Sequence, residues 1–323
     1  MAKRIALSLV VFLVLSLGSA QTSVRVGLGY IPDVQFAPFY AAAVEGLYEA
    51  EGLEVTFQHG FTSELYPLLE QGNLDFVVGD AEDIVMLRSQ NEIPFKYVMA
   101  MYQRVPTVLF GLESAVGGLE SLRGKTIGMP ALSGSSYTSL QAVLAAADLS
   151  EEDVTIQEIG FTQVEAVLSE RVDMAMGFVN NEPLILGNMG QEVSTLAAGE
   201  YNPSVGNGVI TTDALIADNP ELVRQFVQAS QRGLALVLNE PELAFEASKT
   251  YVENQGDERL DVLLTSAELY VSDYTRENGL GAFDPERFAA TLEFLSSSER
   301  VEGGLEPSVF YSTDFIDPDI NVE

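Results

Sequence analysis

The segment from Val24 to Gly60 constrains the fold more than any other part of the chain. A short apolar run leads through an aromatic-rich turn into a helix with Ala41-Ala42-Ala43, and a second apolar run follows Gly52-Leu53. Strand, helix and strand in this order begin a parallel sheet, in which ligands bind beyond the carboxyl ends of the strands. The turn carries Tyr30, Gln35, Phe36 and Phe39. We therefore predict a pocket for a flat organic molecule at this turn.

The same alternation of apolar runs and helical patterns continues as far as Thr212, which predicts an α/β fold with mostly parallel sheets. Beyond Thr212 the pattern is helical, with proline after a capping residue at 219–220, 240–241 and 284–285. This helical tail either ends a second domain or packs back on the first, and the pattern leaves both open. The strand candidates are Val24–Leu28, Glu54–Gln58, Leu74–Val78, Tyr97–Met101, Thr107–Leu112, Lys125–Met129, Val154–Glu158, Asp173–Gly177, Glu192–Thr195 and Gly208–Thr211.

The first twenty residues have a pattern of their own. Lys3 and Arg4 precede an apolar run from Ile5 to Leu17, and Gly18-Ser19-Ala20 supplies small residues at its end. The run is shorter than the roughly 20 residues of a membrane span, so we predict a cleavable signal peptide over 1–20 and a periplasmic or other extracytoplasmic protein. The sequence contains no cysteine, which excludes a lipoprotein anchor, disulfides and cysteine-based catalytic or metal sites.

The balance of charge limits the partners of this protein. Lys and Arg number 16 against 48 Asp and Glu, and the formal net charge is −32. So negative a field repels nucleic acid and anionic membranes, and we expect neither as a partner. It also disfavours a small anionic ligand, because no basic cluster is visible to offset it. The acidic surface is interpreted most simply as a device for solubility.

The sequence does not match the common motifs of enzymes and cofactor sites. Gly27-Leu28-Gly29 follows a strand, but Pro32 stands where a dinucleotide-binding turn needs its third glycine. The stretch 118–126 has one residue too many between its glycines for a phosphate-binding loop. His59 is the only histidine, and no G-x-S-x-G elbow accompanies it. We therefore predict no cofactor and no metal site.

Three other segments follow strand candidates and begin helices, as binding loops do. Gly79–Glu82 follows the third strand candidate, Ser133–Tyr137 the sixth and Phe178–Glu182 the eighth. Ordinary loop capping explains each segment taken alone. Together they place aromatic and polar groups at one edge of both runs of strands, which favours a binding protein.

Five segments, in this order and spacing, carry a resemblance to a known family. They are GYIPDVQFAPFYAAAVEGLYEAEGLEV at 29–55, LEQGNLDFVVGDAED at 69–83, LRGKTIGMPALSGSSY at 122–137, RVDMAMGFVNNEP at 171–183 and NPELVRQFVQAS at 219–230. The chain resembles the periplasmic solute-binding proteins of the NMT1/THI5-like (SsuA/THI5-like) group. The resemblance extends over nearly all of the chain after residue 20.

This resemblance implies a periplasmic-binding-protein fold of type II, with two α/β lobes, a two-crossover hinge and a ligand cleft between the lobes. Lobe I would comprise 21–108 and 210–323, because the C-terminal helices of this family return to the first lobe, and lobe II would comprise 109–209. The crossovers would fall near Thr107–Gly111 and Asn207–Thr211. Such lobes usually close over a ligand by a hinge motion.

The resemblance also implies a monomeric solute-binding component of an ABC importer, with a membrane permease as its partner. Its ligand would be a thiamine-precursor pyrimidine or a riboflavin-like heterocycle, and the alternatives are a sulfonate, taurine or nitrate. Eukaryotic relatives are pyrimidine synthases that consume a histidine and carry a cysteine-rich iron motif. This chain has no cysteine and no histidine within Asp80–Met86, so we predict that it is not an enzyme.

The candidate ligand-binding residues combine the segments above with the resemblance. Aromatic side chains would stack on a heterocycle, and polar side chains would pair with its ring nitrogens and exocyclic groups. The stacking residues are Tyr30, Phe36 and Tyr102. The polar partners are His59, Asp80, Glu82, Asn180, Asn181 and Glu182. Thr107, Ser135, Tyr137, Phe178 and Asn207 complete the predicted site.

Overall fold

The computed structural model describes residues 21–322, so the predicted signal peptide lies outside the described residues. Each of the ten strand candidates forms a strand, with small shifts at the ends. The strands are β1 (Thr22–Leu28), β2 (Leu53–His59), β3 (Phe76–Gly79), β4 (Phe95–Ala100), β5 (Thr107–Leu112), β6 (Thr126–Met129), β7 (Thr155–Glu158), β8 (Met174–Phe178), β9 (Val193–Leu196) and β10 (Gly208–Thr212).

Helices fill the intervals and most of the chain after β10. A short 3-10 turn, Val34–Phe36, precedes the first of them. The helices are α1 (Ala37–Val44), α2 (Leu47–Ala50), α3 (Thr62–Glu70), α4 (Ala81–Asn91), α5 (Gly134–Ala146), α6 (Gln163–Leu168), α7 (Glu182–Asn188), α8 (Asp213–Asp218), α9 (Pro220–Asn239), α10 (Pro241–Ser248), α11 (Leu260–Glu268), α12 (Asp273–Asn278) and α13 (Pro285–Ser297).

The strands form two five-stranded sheets with matching topology. The first has the order β2-β1-β3-β10-β4 and the second the order β7-β6-β8-β5-β9. In each sheet one strand, β10 or β5, runs antiparallel to both of its neighbours, while the remaining pairs are parallel. The sheets are therefore mixed: all strands but one run in the same direction in each sheet, as expected, but the reversed strand makes half of the strand pairings antiparallel.

We call the structure built on the first sheet lobe I and that built on the second sheet lobe II. The chain passes between them at 101–106 and at 197–207. The crossovers had been expected near 107–111 and 207–211, but those residues lie almost entirely in β5 and β10. Each reversed strand begins directly after a crossover, which places its first residues at the carboxyl ends of the parallel strands. The exact limits of the two lobes remain a prediction.

The helical tail packs on lobe I, which decides between the two arrangements that the sequence left open. Helices α9 and α10 lie against α1, and their apolar side chains share one core with β1 and β3. Phe226 of α9 stacks on Phe76 and Tyr48, with ring centroids 4.1 Å and 5.3 Å away. A side chain at Gly233 would collide with the carbonyl oxygen of Pro38, so glycine allows α9 to approach α1 closely. Within 21–322, no helix has the length and apolar character needed to cross a membrane.

Candidate ligand-binding cleft

A cavity of about 870 Å³, counted with the solvent at its mouth, lies between the two lobes at the carboxyl ends of the parallel strands. Both sheets contribute to it, because both turn this edge toward the space between them. Nine of the predicted residues line it, from both lobes: Tyr30, Phe36, Asp80, Tyr102, Ser135, Phe178, Asn181, Glu182 and Asn207. Their role in binding stays a prediction.

Aromatic rings from both lobes meet at one side of the cavity. Phe161, which follows β7 in lobe II, stacks on Phe61 of lobe I with 4.1 Å between ring centroids. The same ring meets Tyr30 of lobe I edge to face at 4.6 Å. All three side chains are partly exposed and line the cavity. They form a wall that exists only when the lobes are together.

Asn180 ties the lobes together beneath the cavity without lining it. Its side-chain amide lies 3.0 Å from the Gln35 Oε1 atom and 2.7 Å from the Ser266 Oγ atom, and both of these partners belong to lobe I. The Tyr102 hydroxyl is 3.1 Å from the same nitrogen. Because Asn180 is fully buried, its hydrogen bonds are shielded from water and fix the position of the loop that carries Asn181.

A buried ion pair supports the same loop. Arg259, just before α11, contacts the carboxylate of Asp33, and only 15% and 10% of these side chains are exposed. The guanidinium also donates to the Asn181 Oδ1 atom at 3.0 Å. Burial raises the pKa of Asp33, and the charge of Arg259 opposes that rise. Arg259 thus joins the two lobes behind the cavity wall.

Two carboxyl groups line the cavity, those of Asp80 and Glu182. Glu182 accepts a hydrogen bond from the Phe178 amide at 2.9 Å, and burial raises its pKa to about 7. Asp80 accepts from the Asn207 amide at 2.9 Å. Burial raises the pKa of Asp80, while Ser135 and Asn207 favour its charged form. Among residues 21–322, no lysine, arginine or histidine lines the cavity.

Three predicted residues near lobe I or its border with lobe II lie outside the cavity. His59 donates from Nδ1 to the Tyr30 carbonyl oxygen at 3.2 Å, and its Nε2 atom is 3.0 Å from the Tyr40 hydroxyl. Glu82 is completely buried in the first turn of α4. Asn180, described above, faces the interior of lobe I. We correct these three assignments, since each side chain is engaged by the protein itself.

Two residues of lobe II also lie outside the cavity. The Thr107 hydroxyl donates to the Ser139 hydroxyl at 2.8 Å and is buried. Tyr137 lies on the outer side of α5, where its hydroxyl donates to Glu151 at 2.7 Å and the Arg300 guanidinium sits over its ring. Helix α5 begins at Gly134, so Tyr137 lies in its first turn and on the side that faces away from the cleft.

Comparison with known proteins identifies the relatives of this chain. The sequence model of a family described as NMT1/THI5 like matches residues 33–244. The chain belongs to the NMT1/THI5-like family. The match includes every strand from β2 to β10 and all the cavity-lining segments after Asp33.

Individual relatives extend this assignment. The riboflavin-binding protein RibY of Chloroflexus aurantiacus is 37% identical over 301 residues, which are 91% of this chain and 86% of RibY. A 4-amino-5-hydroxymethyl-2-methylpyrimidine phosphate synthase of Legionella pneumophila is 22% identical over 72% of this chain and 74% of its own length. The alkanesulfonate-binding protein SsuA of Xanthomonas axonopodis, bound to MOPS, superposes with a TM-score of 0.71 at 14% identity, covering 91% of this chain and 99% of SsuA.

The superposition confirms the predicted fold class for this NMT1/THI5-like protein. Two mixed α/β sheets with helices match the fold of the periplasmic binding proteins.

Several cavity residues of this NMT1/THI5-like protein were absent from the predicted set. Phe61 follows β2 and Phe161 follows β7, so the rule that located Asp80 and Phe178 at strand ends applies to them too. Gln35 was noted in the first turn but not assigned to the site. The other residues that were missed are Gly29, Thr62, Val78, Met101, Pro130, Ala131, Ser133, Gly134, Ser136, Gln163 and Gly177.

Proposed function

We propose that this protein is the extracytoplasmic solute-binding component of an ABC importer and that its ligand is riboflavin or a closely related flavin. The observation that carries the proposal is the chemistry of the cavity. Aromatic rings from both lobes line it, and neutral amides and hydroxyls lie between them. None of the cationic side chains of residues 21–322 lines the cavity. The similarity to the riboflavin-binding protein RibY supports the same ligand.

The aromatic wall suits a flat, uncharged ring system. Tyr30 and Phe61 from lobe I and Phe161 from lobe II offer faces and edges on which a ring can stack. The amides of Gln163, Asn181 and Asn207 carry both donors and acceptors. The pyrimidine-dione edge of an isoalloxazine presents an N–H between two carbonyl oxygens, and such amides can satisfy all three groups.

A thiamine-precursor pyrimidine is the second candidate, because the chain is also similar to a 4-amino-5-hydroxymethyl-2-methylpyrimidine phosphate synthase of Legionella pneumophila.

The remaining parts of the proposal concern the surroundings of the protein. We propose that residues 1–20 are removed as a signal peptide, that the mature protein acts as a periplasmic monomer and that a membrane permease receives its ligand. The enzymatic alternative, a pyrimidine synthase, would need a histidine as a substrate and a cysteine-rich iron motif, and the sequence has no cysteine and a single histidine, His59. His59 is held by Tyr40 and Tyr30 outside the cavity, and burial lowers its pKa.

The proposed ligand can be tested by titration of the mature protein with riboflavin while flavin fluorescence is recorded. We expect quenching with a dissociation constant at or below about 1 μM, as stacking on aromatic rings and a desolvated cleft would give. Aminopyrimidines, taurine, an alkanesulfonate and nitrate serve as competitors in a thermal-shift assay. Stabilisation by a sulfonate or nitrate without any response to riboflavin would refute the proposal.

The aromatic wall gives a second expectation. Phe161→Ala removes the ring of lobe II that meets both Tyr30 and Phe61, and aromatic pairs contribute roughly 0.5–1.5 kcal/mol each beyond burial. We expect the dissociation constant for riboflavin to rise about tenfold. Phe57→Ala is the matched control, since Phe57 packs on Tyr40 and Tyr251 away from the cavity. Equal affinities of the two variants would remove Phe161 from the site.

A further inference from the structure

The carboxylate of Asp80 occupies an unusual position. Asp80 precedes α4 as its capping residue, yet its side chain makes no hydrogen bond to the amides of that helix. Instead it crosses the cleft to the first turn of α5 in lobe II, where a β-carbon added to Gly134 would lie 2.8 Å from its Oδ2 atom. Aspartate at this position usually caps its own helix, so the different direction of the Asp80 side chain indicates another interaction partner.

The N-terminus of α5 is that partner. This helix of 13 residues begins at Gly134, and the side chain of its capping residue, Ser133, makes no capping hydrogen bond. Its first amides therefore have no side-chain cap, and the first residues of the helix line the cavity, in the arrangement by which helices bind anions. Ser135 favours the charged form of Asp80. The carboxylate thus lies where a bound anion would lie.

The carboxylate is also held in place by the second crossover. Asn207, just before β10, donates from Nδ2 to the Asp80 Oδ1 atom at 2.9 Å. The side chain has little room to withdraw, because Asp80 is only 8% exposed and Ser135 only 3%. An anionic ligand group that approached α5 would meet the Asp80 carboxyl group, whose charged form is favoured by its hydrogen bonds to Ser135 and Asn207, instead of free amides.

We propose that Asp80 is the specificity residue that excludes anions from this cleft, so that the site accepts a flavin without its phosphate and rejects the phosphorylated form. For the flavin the proposal rests on the function proposed above. The exclusion of anions does not depend on it. Asp80 acts by filling the anion-binding position of α5, and the other acid of the cavity, Glu182, does not lie there.

The test compares riboflavin with flavin mononucleotide by fluorescence titration at low ionic strength. The wild-type protein should prefer riboflavin by about 100-fold, because like charges brought together are strongly unfavourable. In Asp80→Asn the preference should narrow at least about tenfold, through tighter binding of flavin mononucleotide. Asp218→Asn removes the same charge from an exposed helix end and should leave the preference unchanged.

Two further variants keep the result decisive. Glu182→Gln should reduce the preference for riboflavin over flavin mononucleotide less than Asp80→Asn does. An equal effect of the two variants would refute the idea that the position of Asp80 at the N-terminus of α5 matters. Asp80→Ser provides the same loss of charge should Asp80→Asn fail to fold. An unaltered preference in a folded Asp80 variant, or equal binding of the two flavins by the wild type, would also refute the proposal.

A final measurement is independent of flavins. Taurine, whose sulfonate stays charged, should raise the melting temperature of Asp80→Asn but not that of the wild type or Asp218→Asn. If the wild type binds no flavin at all, the proposed ligand is wrong, and the taurine result alone decides whether Asp80 excludes anions. The absence of any taurine response in the folded Asp80 variants would then refute its role.

Discussion

Arg259→Ala is expected to lower the free energy of unfolding by about 3–5 kcal/mol, the usual effect of removing one partner from a buried ion pair. Asp33 would lose the positive charge that opposes the rise of its pKa, in a place where only 10% of its side chain meets water. Asn181 would lose the guanidinium that now holds its side-chain oxygen. We therefore expect weaker binding of the ligand as well. Urea unfolding and a ligand titration measure the two effects.

Two controls isolate the buried pair. Arg224→Ala breaks an exposed pair with Glu221, and its effect should not exceed about 1 kcal/mol. In a background of Asp33→Asn, the loss of Arg259 should destabilise the protein much less, because no buried charge is left without a partner. Equal unfolding free energies for Arg259→Ala and Arg224→Ala would contradict this account.

Glu82→Gln is expected to remove a large part of the pH dependence of stability. Burial raises the pKa of Glu82 from 4.5 to about 7 in the folded protein. The folded state therefore holds a proton that the unfolded state has released, and stability falls as the pH rises from about 4.5 through about 7. The group contributes a decline of about 3 kcal/mol over this window. Glutamine keeps the shape and the contact with Asn202 without any ionisation.

The measurement is the unfolding free energy of both proteins at pH 5 and pH 8. The variant and the wild type should be nearly equal at pH 5, where Glu82 is neutral, and the variant should be the more stable at pH 8. Glu158→Gln, at an exposed position, controls for the general loss of one negative charge. Parallel pH profiles for Glu82→Gln and the wild type would show that Glu82 ionises normally in the fold.

The sequence predicted the elements of this fold better than their directions. Apolar runs such as Phe76–Gly79 are buried along their whole length, and that property is visible in the residues themselves. The reversal of β5 and β10 is not, because it depends on where the chain passes from one lobe to the other. The same distant relation fixes the crossovers, which end just before Thr107 and Gly208.

The site was predicted to the extent that strand ends determine it. Asp80 and Phe178 follow β3 and β8 directly and reach the cavity, as any residue at that edge tends to do. Glu82 and Asn180 lie only two residues further along, but the chain has turned by then and buries them on the other side. The position of a residue along the chain does not predict which way its side chain faces. For Glu82 and Asn180 that direction depends on hydrogen-bond partners from remote segments, Asn202 and Gln35.

The position of β10 has a consequence for the order in which the molecule folds. This strand lies between β3 and β4, so the hydrogen-bonding edges of both stay unpaired until residue 212 has arrived. The five strands of lobe II all fall within 107–196, and their contacts close over a shorter stretch of chain. Loops that must close over more residues form more slowly. Lobe II can therefore complete its sheet first. The sheet of lobe I is completed only when β10, which follows the last strand of lobe II in the chain, inserts between β3 and β4.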